Sequence, residues 1–420
     1  MGFLLRTLLQ EFQDKMQSFT GGIPRTVALT NISDKITVVI GMRRTGKTYL
    51  LLQTIHTLLE IVPLTRILYL NFEDDRLFPM TGQEFASLID QFYTLYPENY
   101  DVTCYLFFDE IQNVEGWERV IRRYFDTKKV KIYLTGSSAK LLSKEIATSL
   151  RGRSVATEVW PFSFTEFLSA QEPKESFTML GKKDLDQLKK QLVSYLEHGG
   201  FPETVMLNPI NCTRVLQDYV AVVIFRDIVE RYKITNLALI RYVIKTLIGN
   251  VGCGFAVNKL FNDLKSQGFA VSKTTIHDYL EYIEDAYLAF TVPLYAESIR
   301  KTQTNLRKLY AIDTGLVNAY AMNFSKNLGH HFENLIYLDL KRTNHEIYYY
   351  LTKTRREVDF CAKDRQGNWH LYQVSWNTDD PQTLDRELTA LREAENELGL
   401  SGQLITPDVY LTSFLPKLLG

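Results

Sequence analysis

Through the first 160 residues, short apolar runs alternate with segments of helical period. Lys35–Ile40, Arg66–Phe72, Thr103–Phe108 and Val130–Thr135 are brief and rich in β-branched or aromatic residues, the pattern of strands covered on both faces. Between them, helical stretches begin near Gly46, near Thr81 and near Trp117, and the Thr-Gly-Gln-Glu at Thr81 is a capping-box pattern. Strand and helix in alternation predict an α/β core over residues 31–160, a parallel sheet flanked by helices. Ahead of it, Met-Gly-Phe-Leu-Leu-Arg-Thr-Leu-Leu-Gln reads as an amphipathic helix, so residues 1–30 are a helix and linker.

Beyond Pro161 the strand signal stops. Residues 161–250 read as helix upon helix, with a charged, exposed segment at Gly181–Lys190, in the manner of a helical lid or second subdomain. Residues 251–324 carry two helices and then strand-like Ala289–Leu294 and Leu309–Ile312. Residues 325–420 run helix, strand Glu346–Leu351, strand Glu357–Ala362, a turn at Asp364–Asn368, strand Trp369–Ser375, and a long charged helix to about Leu398. There is no internal repeat and no low-complexity tract.

A chain of 420 residues that is 45% hydrophobic exceeds one ordinary core, which predicts several domains. Its 48 basic and 49 acidic residues nearly cancel, so no whole-molecule field draws it to nucleic acid, and such a partner must meet a local patch. Cys104, Cys212, Cys253 and Cys361 are far apart with no C-x-x-C pair, which argues against a zinc ribbon or disulfide framework and for a reducing, cytoplasmic setting. No apolar run reaches the roughly 18 residues of a membrane-spanning helix, so a membrane is not an expected partner.

The sharpest chemical signal is Gly41-Met42-Arg43-Arg44-Thr45-Gly46-Lys47-Thr48, a G-x-x-x-x-G-K-[ST] match lying between an apolar strand and the helix that starts at Tyr49. In that context the loop's backbone N–H groups wrap phosphates, Lys47 reaches the β and γ phosphates, and Thr48 offers its hydroxyl to Mg2+. Tyr49 completes the set of nucleotide-contacting positions, and ATP with Mg2+ is the expected ligand. The strand Tyr105–Phe108 then delivers Asp109 and Glu110 at the carboxyl edge of the sheet, where parallel sheets bind ligands. Asp109 suits the metal through its water shell, and Glu110 suits the activation of an attacking water; the plainer alternative makes Glu110 the first acid of a helix.

Two further segments leave alternatives open. Thr135-Gly136-Ser137-Ser138 ends a strand beside the site, so Ser137 either binds a γ-phosphate oxygen or caps the next helix. Leu150-Arg151-Gly152-Arg153 offers Arg151 and Arg153 either for transition-state charge, in cis or from a neighbouring copy in a homo-oligomer, or for structural ion pairs.

The runs Asp109-Glu110-Ile111-Gln112-Asn113-Val114-Glu115-Gly116-Trp117-Glu118 and Trp160-Pro161-Phe162-Ser163-Phe164-Thr165-Glu166-Phe167, with the two segments above, resemble a prokaryotic family of AAA-type ATPases. The resemblance covers nearly the whole chain. It implies a RecA-like P-loop NTPase core with a helical lid, a winged-helix domain, and a C-terminal α/β domain similar to restriction endonucleases. It names neither the process nor the protein partner.

Two sites in the second half are weaker. Val257–Gln267, Gly268 and a helix capped by Ser272 form a helix-turn-helix pattern, with Lys273, Thr274, Thr275 and His277 near the second helix's start and Arg300, Lys301, Arg307 and Lys308 as phosphate contacts. This unit either contacts DNA or serves as a packing module. Glu333, Glu357 and Asp359 follow the order of a restriction-type site, but where the family resemblance leads to Glu-x-Lys this chain has Gln373-Val374-Ser375. A neutral amide anchors Mg2+ poorly and serine supplies no cation, so a nuclease retained as an inactive scaffold is expected. His330 and His331 precede Glu333, but adjacent helical residues point about 100° apart and do not readily share an ion.

Overall fold

Five strands, Ile36–Ile40 (β1), Ile67–Asn71 (β2), Cys104–Asp109 (β3), Val130–Gly136 (β4) and Ser154–Glu158 (β5), form one sheet in the order β2-β3-β4-β1-β5. Every neighbouring pair is parallel. The computed structural model describes residues 2–29, 32–136, 150, 152–171, 181–296, 306–320, 328–343, 345–377 and 380–419. They divide into two units, Met1–Trp160 and Pro161–Gly420.

In the first unit, helices Gly2–Ser18 (α1), Lys47–Leu58 (α2), Gly82–Leu95 (α3) and Trp117–Thr127 (α4) cover the sheet. Successive strand residues point to opposite faces. Val38, Ile40, Leu68, Leu70, Leu106 and Phe108 join one core with Phe85, Leu88 and Phe92 of α3 and Ile121 of α4. Val39, Ile67, Tyr69, Phe107 and Tyr133 join another with Leu50, Leu51 and Ile55 of α2 and Phe12 and Met16 of α1. Burying each such side chain contributes roughly 2 kcal/mol, which explains why these apolar runs become central strands. The capping box at α3 is formed: Glu84 N donates to Thr81 Oγ1, and Thr81 N donates to Glu84 Oε2 at 2.9 Å. Strand β5 is absent from the apolar pattern because it is an edge strand, only partly buried.

The second unit begins with helices Phe164–Gln171, Lys182–His198, Pro209–Val222 and Leu237–Gly249. Its first turn is firmly held. Ser163 N donates to Glu166 Oε2 at 2.8 Å, Phe162 N donates to Gly200 O at 2.6 Å, and Arg342 donates to the carbonyls of Pro161 and Phe162 at 3.2 Å. A Cβ on Gly200 would sit 2.2 Å from Phe162 O, so glycine is required there. The segment Pro161–Phe167 is therefore a packing device. Helices Val257–Ser266 and Lys273–Asp285 stand with a three-stranded antiparallel sheet whose middle strand is Arg307–Ala311, between Gly254–Phe255 and Ala289–Val292. Helix Leu328–Arg342 follows. A mixed four-stranded sheet then runs Glu346–Leu351, Glu357–Lys363, Trp369–Val374, Gly402–Ile405, with the last pair parallel and helix Pro381–Leu398 packed on it.

Candidate active site

The loop from β1 to α2 turns through left-handed backbone at Arg44 (φ 68°) and Gly46 (φ 96°). A Cβ on Gly41 (φ 149°) would meet Val159 O at 2.3 Å, so no side chain fits there. The backbone is braced by its own residues: Thr45 Oγ1 donates to Met42 O at 2.9 Å, and Lys47 Nζ donates to Gly41 O at 3.1 Å and Met42 O at 3.0 Å. Met42 and Thr45 are fully buried, so neither side chain is open to a ligand. Arg43 pairs with Glu73 at 3.0 Å, Arg44 is exposed, and the exposed Tyr49 ring lies 5.9 Å from that of Phe19. Arg25, from the preceding linker, donates to Thr45 O at 2.7 Å and to Trp160 O at 2.6 Å.

Strand β4 lies between β1 and β3, so the loop and the acids are two strands apart. Side chains close the gap. Thr48 Oγ1 donates to Asp109 Oδ2 at 2.7 Å, Tyr69 donates to the same oxygen at 3.1 Å, and Thr135 of β4 donates to Asp109 Oδ1. Asp109 is fully buried, and burial pushes its carboxyl above the ordinary range while Thr135 and Thr48 oppose that rise. Burial and the Asp109 carboxylate in turn push the Tyr69 phenol well up. Glu110 adopts a left-handed conformation (φ 52°) at the start of the short 3-10 helix Ile111–Asn113, where its carbonyl accepts from Asn113 N at 3.1 Å and its side chain makes no capping bond. Its N–H donates to Thr135 Oγ1 at 2.9 Å, Gln112 donates to its Oε2, and its Oε1 lies 3.9 Å from Lys47 Nζ. A strained non-glycine residue held this firmly, next to a buried lysine, is typical of functional sites.

Ser137 and Arg151, and Arg300 and Lys301, fall outside the described residues. Arg153 precedes β5 at the amino edge of the sheet, where its carbonyl accepts from Ile36 N at 2.7 Å. The loop lies at the other edge, a strand length of about 13 Å away, and the guanidinium pairs with Asp126. Of the two roles expected for Arg153, the ion pair is the one its surroundings in this chain support. The expected role of Lys308 is corrected: it is buried and bonded to acids, out of reach of DNA phosphates, while Arg307 donates to Thr291 Oγ1 at 3.1 Å. Lys273, Thr274 and His277 are exposed, and Thr275 is occupied by the Ser272 cap.

Glu333, Glu357 and Asp359 do converge, around Lys308. Gln373 Oε1 accepts from Asp359 N at 3.2 Å, and Ser375 Oγ donates to Asn377 O at 3.0 Å. His331 is buried and pushed down to about 4, by burial first, whereas the half-exposed His330 has its Nδ1 3.9 Å from Glu333 Oε2. Sequence reasoning missed Arg25 and the pairing of Lys308 with Glu333, Glu357 and Asp359, and it placed Thr135 only among small hydroxyls beside the site, not as the group that joins Asp109 to the Glu110 backbone. Only Thr135 carried a signal, its place at the end of an apolar strand.

A family model described as an AAA domain matches residues 33–168, and one described as a domain of unknown function (DUF8612) matches residues 189–327. An uncharacterized protein of Methanocaldococcus jannaschii is 37% identical over 385 residues, covering 90% of this chain and 82% of that one. One of Haemophilus influenzae is 30% identical over 333 residues, covering 79% and 80%. Among solved structures, a Walker-type ATPase of Pyrococcus abyssi aligns with TM-score 0.42 and 14% identity over 68% of this chain and 90% of its own. The ORC1 protein of Aeropyrum pernix, in complex with DNA, aligns with TM-score 0.28 and 11% identity over 75% and 90%.

Proposed function

The chain belongs, with its Methanocaldococcus jannaschii and Haemophilus influenzae relatives, to a family of AAA-domain proteins, and from that premise we propose that it binds ATP with magnesium and hydrolyses it. The observation that carries this reading is the 2.7 Å hydrogen bond from Thr48 to buried Asp109, with Glu110 beside Lys47. That hydroxyl and carboxylate form a hard oxygen pair suited to Mg2+, which when bound neutralises charge on the phosphates. The loop N–H groups bind the triphosphate, and Lys47 exchanges its contacts with Gly41 and Met42 carbonyls for β and γ oxygens. Glu110 accepts a proton from water as the water oxygen bonds to the γ phosphorus and the bond to the β-phosphate oxygen breaks, releasing ADP and phosphate. Phosphate release from wild type, Lys47→Ala and Glu110→Gln tests it. Lys47→Ala should lose ATP binding, and Glu110→Gln should bind ATP without turnover; equal rates in all three refute the reading.

Turnover on this reading drives a conformational switch acting on a partner through the C-terminal half, composed of a helical lid (161–250), a winged-helix domain (251–324) and a nuclease-like domain (325–420). The exposure of Lys273, Thr274 and His277 supports a second reading in which that winged helix binds DNA under nucleotide control. A salt-dependent anisotropy titration with and without ATP separates the two, since absence of salt-dependent binding counts against DNA.

A further inference from the structure

Three acids from two elements enclose one ammonium in the second unit. Lys308 Nζ lies 2.5 Å from Glu333 Oε1, 2.9 Å from Glu357 Oε1 and 2.9 Å from Asp359 Oδ1, and its side chain is only 2% exposed. Glu333 comes from helix Leu328–Arg342, the other two from one strand at alternate positions, and Lys308 from the middle strand of the small antiparallel sheet. An ammonium has three protons, and here it has three carboxylates. Two of the acids have a further donor: Tyr310 donates to Glu333 Oε1 at 2.6 Å, and Val374 N donates to Asp359 Oδ2 at 2.8 Å. Gln373, whose Oε1 accepts from Asp359 N at 3.2 Å, is itself held by donating Nε2 to Glu387 Oε2 at 2.5 Å.

Carboxylates this close repel unless a cation lies among them. Burial opposes the charge on Lys308, but Asp359 and Glu333 raise its basicity well above the ordinary value, so the ammonium persists. Burial lifts the Asp359 carboxyl, and against the same burial the lysine holds Glu333 low. Among the described residues, no group of three His, Cys, Asp or Glu side chains is arranged to hold a metal ion.

We propose that Lys308 is the resident cation of a carboxylate site that takes a divalent metal only when this lysine is removed. The ammonium thus ties the small sheet to helix Leu328–Arg342 and strand Glu357–Lys363 and fills the place a divalent ion would take among Glu333, Glu357 and Asp359. This inference is independent of the ATPase reading.

The test is Mn2+ binding to the full chain without nucleotide, followed by paramagnetic resonance, in an Asp109→Asn background that silences the P-loop carboxylate. With Lys308 present, no bound ion attributable to the cluster is expected. Lys308→Met should gain one site per chain and a Mn2+-dependent rise in thermal midpoint, and adding Glu333→Gln should remove both. A variant that folds only with Mn2+ supports the proposal equally. Binding with Lys308 present that Glu333→Gln abolishes overturns it, as does a Lys308→Met protein that binds no ion or stays unfolded with Mn2+ as without.

Discussion

Replacing Thr135 by valine removes one hydroxyl while keeping the side chain's shape. That hydroxyl is fully buried, donates to Asp109 Oδ1 and accepts from Glu110 N at 2.9 Å. Its loss deprives a buried carboxylate of a donor and leaves a buried N–H unpaired, costing together about 3 kcal/mol. Because the Thr135 bond lowers the Asp109 pKa against the burial that raises it, the variant's carboxyl should titrate higher still. If metal binding needs ionised Asp109, the acid limb of ATP turnover moves to higher pH. Urea unfolding followed by tryptophan fluorescence and a pH–rate profile measure both effects, with Thr135→Ser expected to retain wild-type behaviour. Unfolding within about 0.5 kcal/mol of wild type, with an unmoved acid limb, refutes the reasoning.

Arg25→Ala removes two charge-assisted bonds to the carbonyls of Thr45 and Trp160 and should weaken ATP binding by about tenfold, with Arg25→Lys recovering only part because it lacks the planar fork; equilibrium binding of labelled nucleotide checks this. His331 is pushed down to about 4 by burial, below its unfolded value of 6.5, so its contribution to stability is fully present above pH 6.5 and is lost as pH falls towards 4. The window is worth up to about 3 kcal/mol, and urea midpoints between pH 7.5 and 4.5 should flatten in His331→Gln.

The sheet was legible wherever strands are covered on both faces, because β1 to β4 are then largely apolar. Strands β5 and Gly402–Ile405 escaped because they are only partly buried, so no apolar run marks them. In the site, Lys47, Thr48, Asp109 and Glu110 are readable because each follows a strand at a fixed local spacing. Arg25 and Lys308 are not. Arg25 meets Trp160 across 135 residues and Lys308 meets Asp359 across 51, and pairings set by tertiary packing leave no periodic trace. Nothing in the local sequence around Glu333, Glu357 or Asp359 shows that their cation comes from strand Arg307–Ala311.

Paramagnetic resonance of Mn2+·ATP on the purified chain asks most directly whether the glycine loop and the β3 acids meet at one triphosphate. Wild type should hold the ion with phosphorus hyperfine couplings from the β and γ phosphates, weakened in Asp109→Asn and lost in Lys47→Ala. A spectrum of free Mn2+·ATP alone, or a bound signal indifferent to both substitutions, contradicts that arrangement.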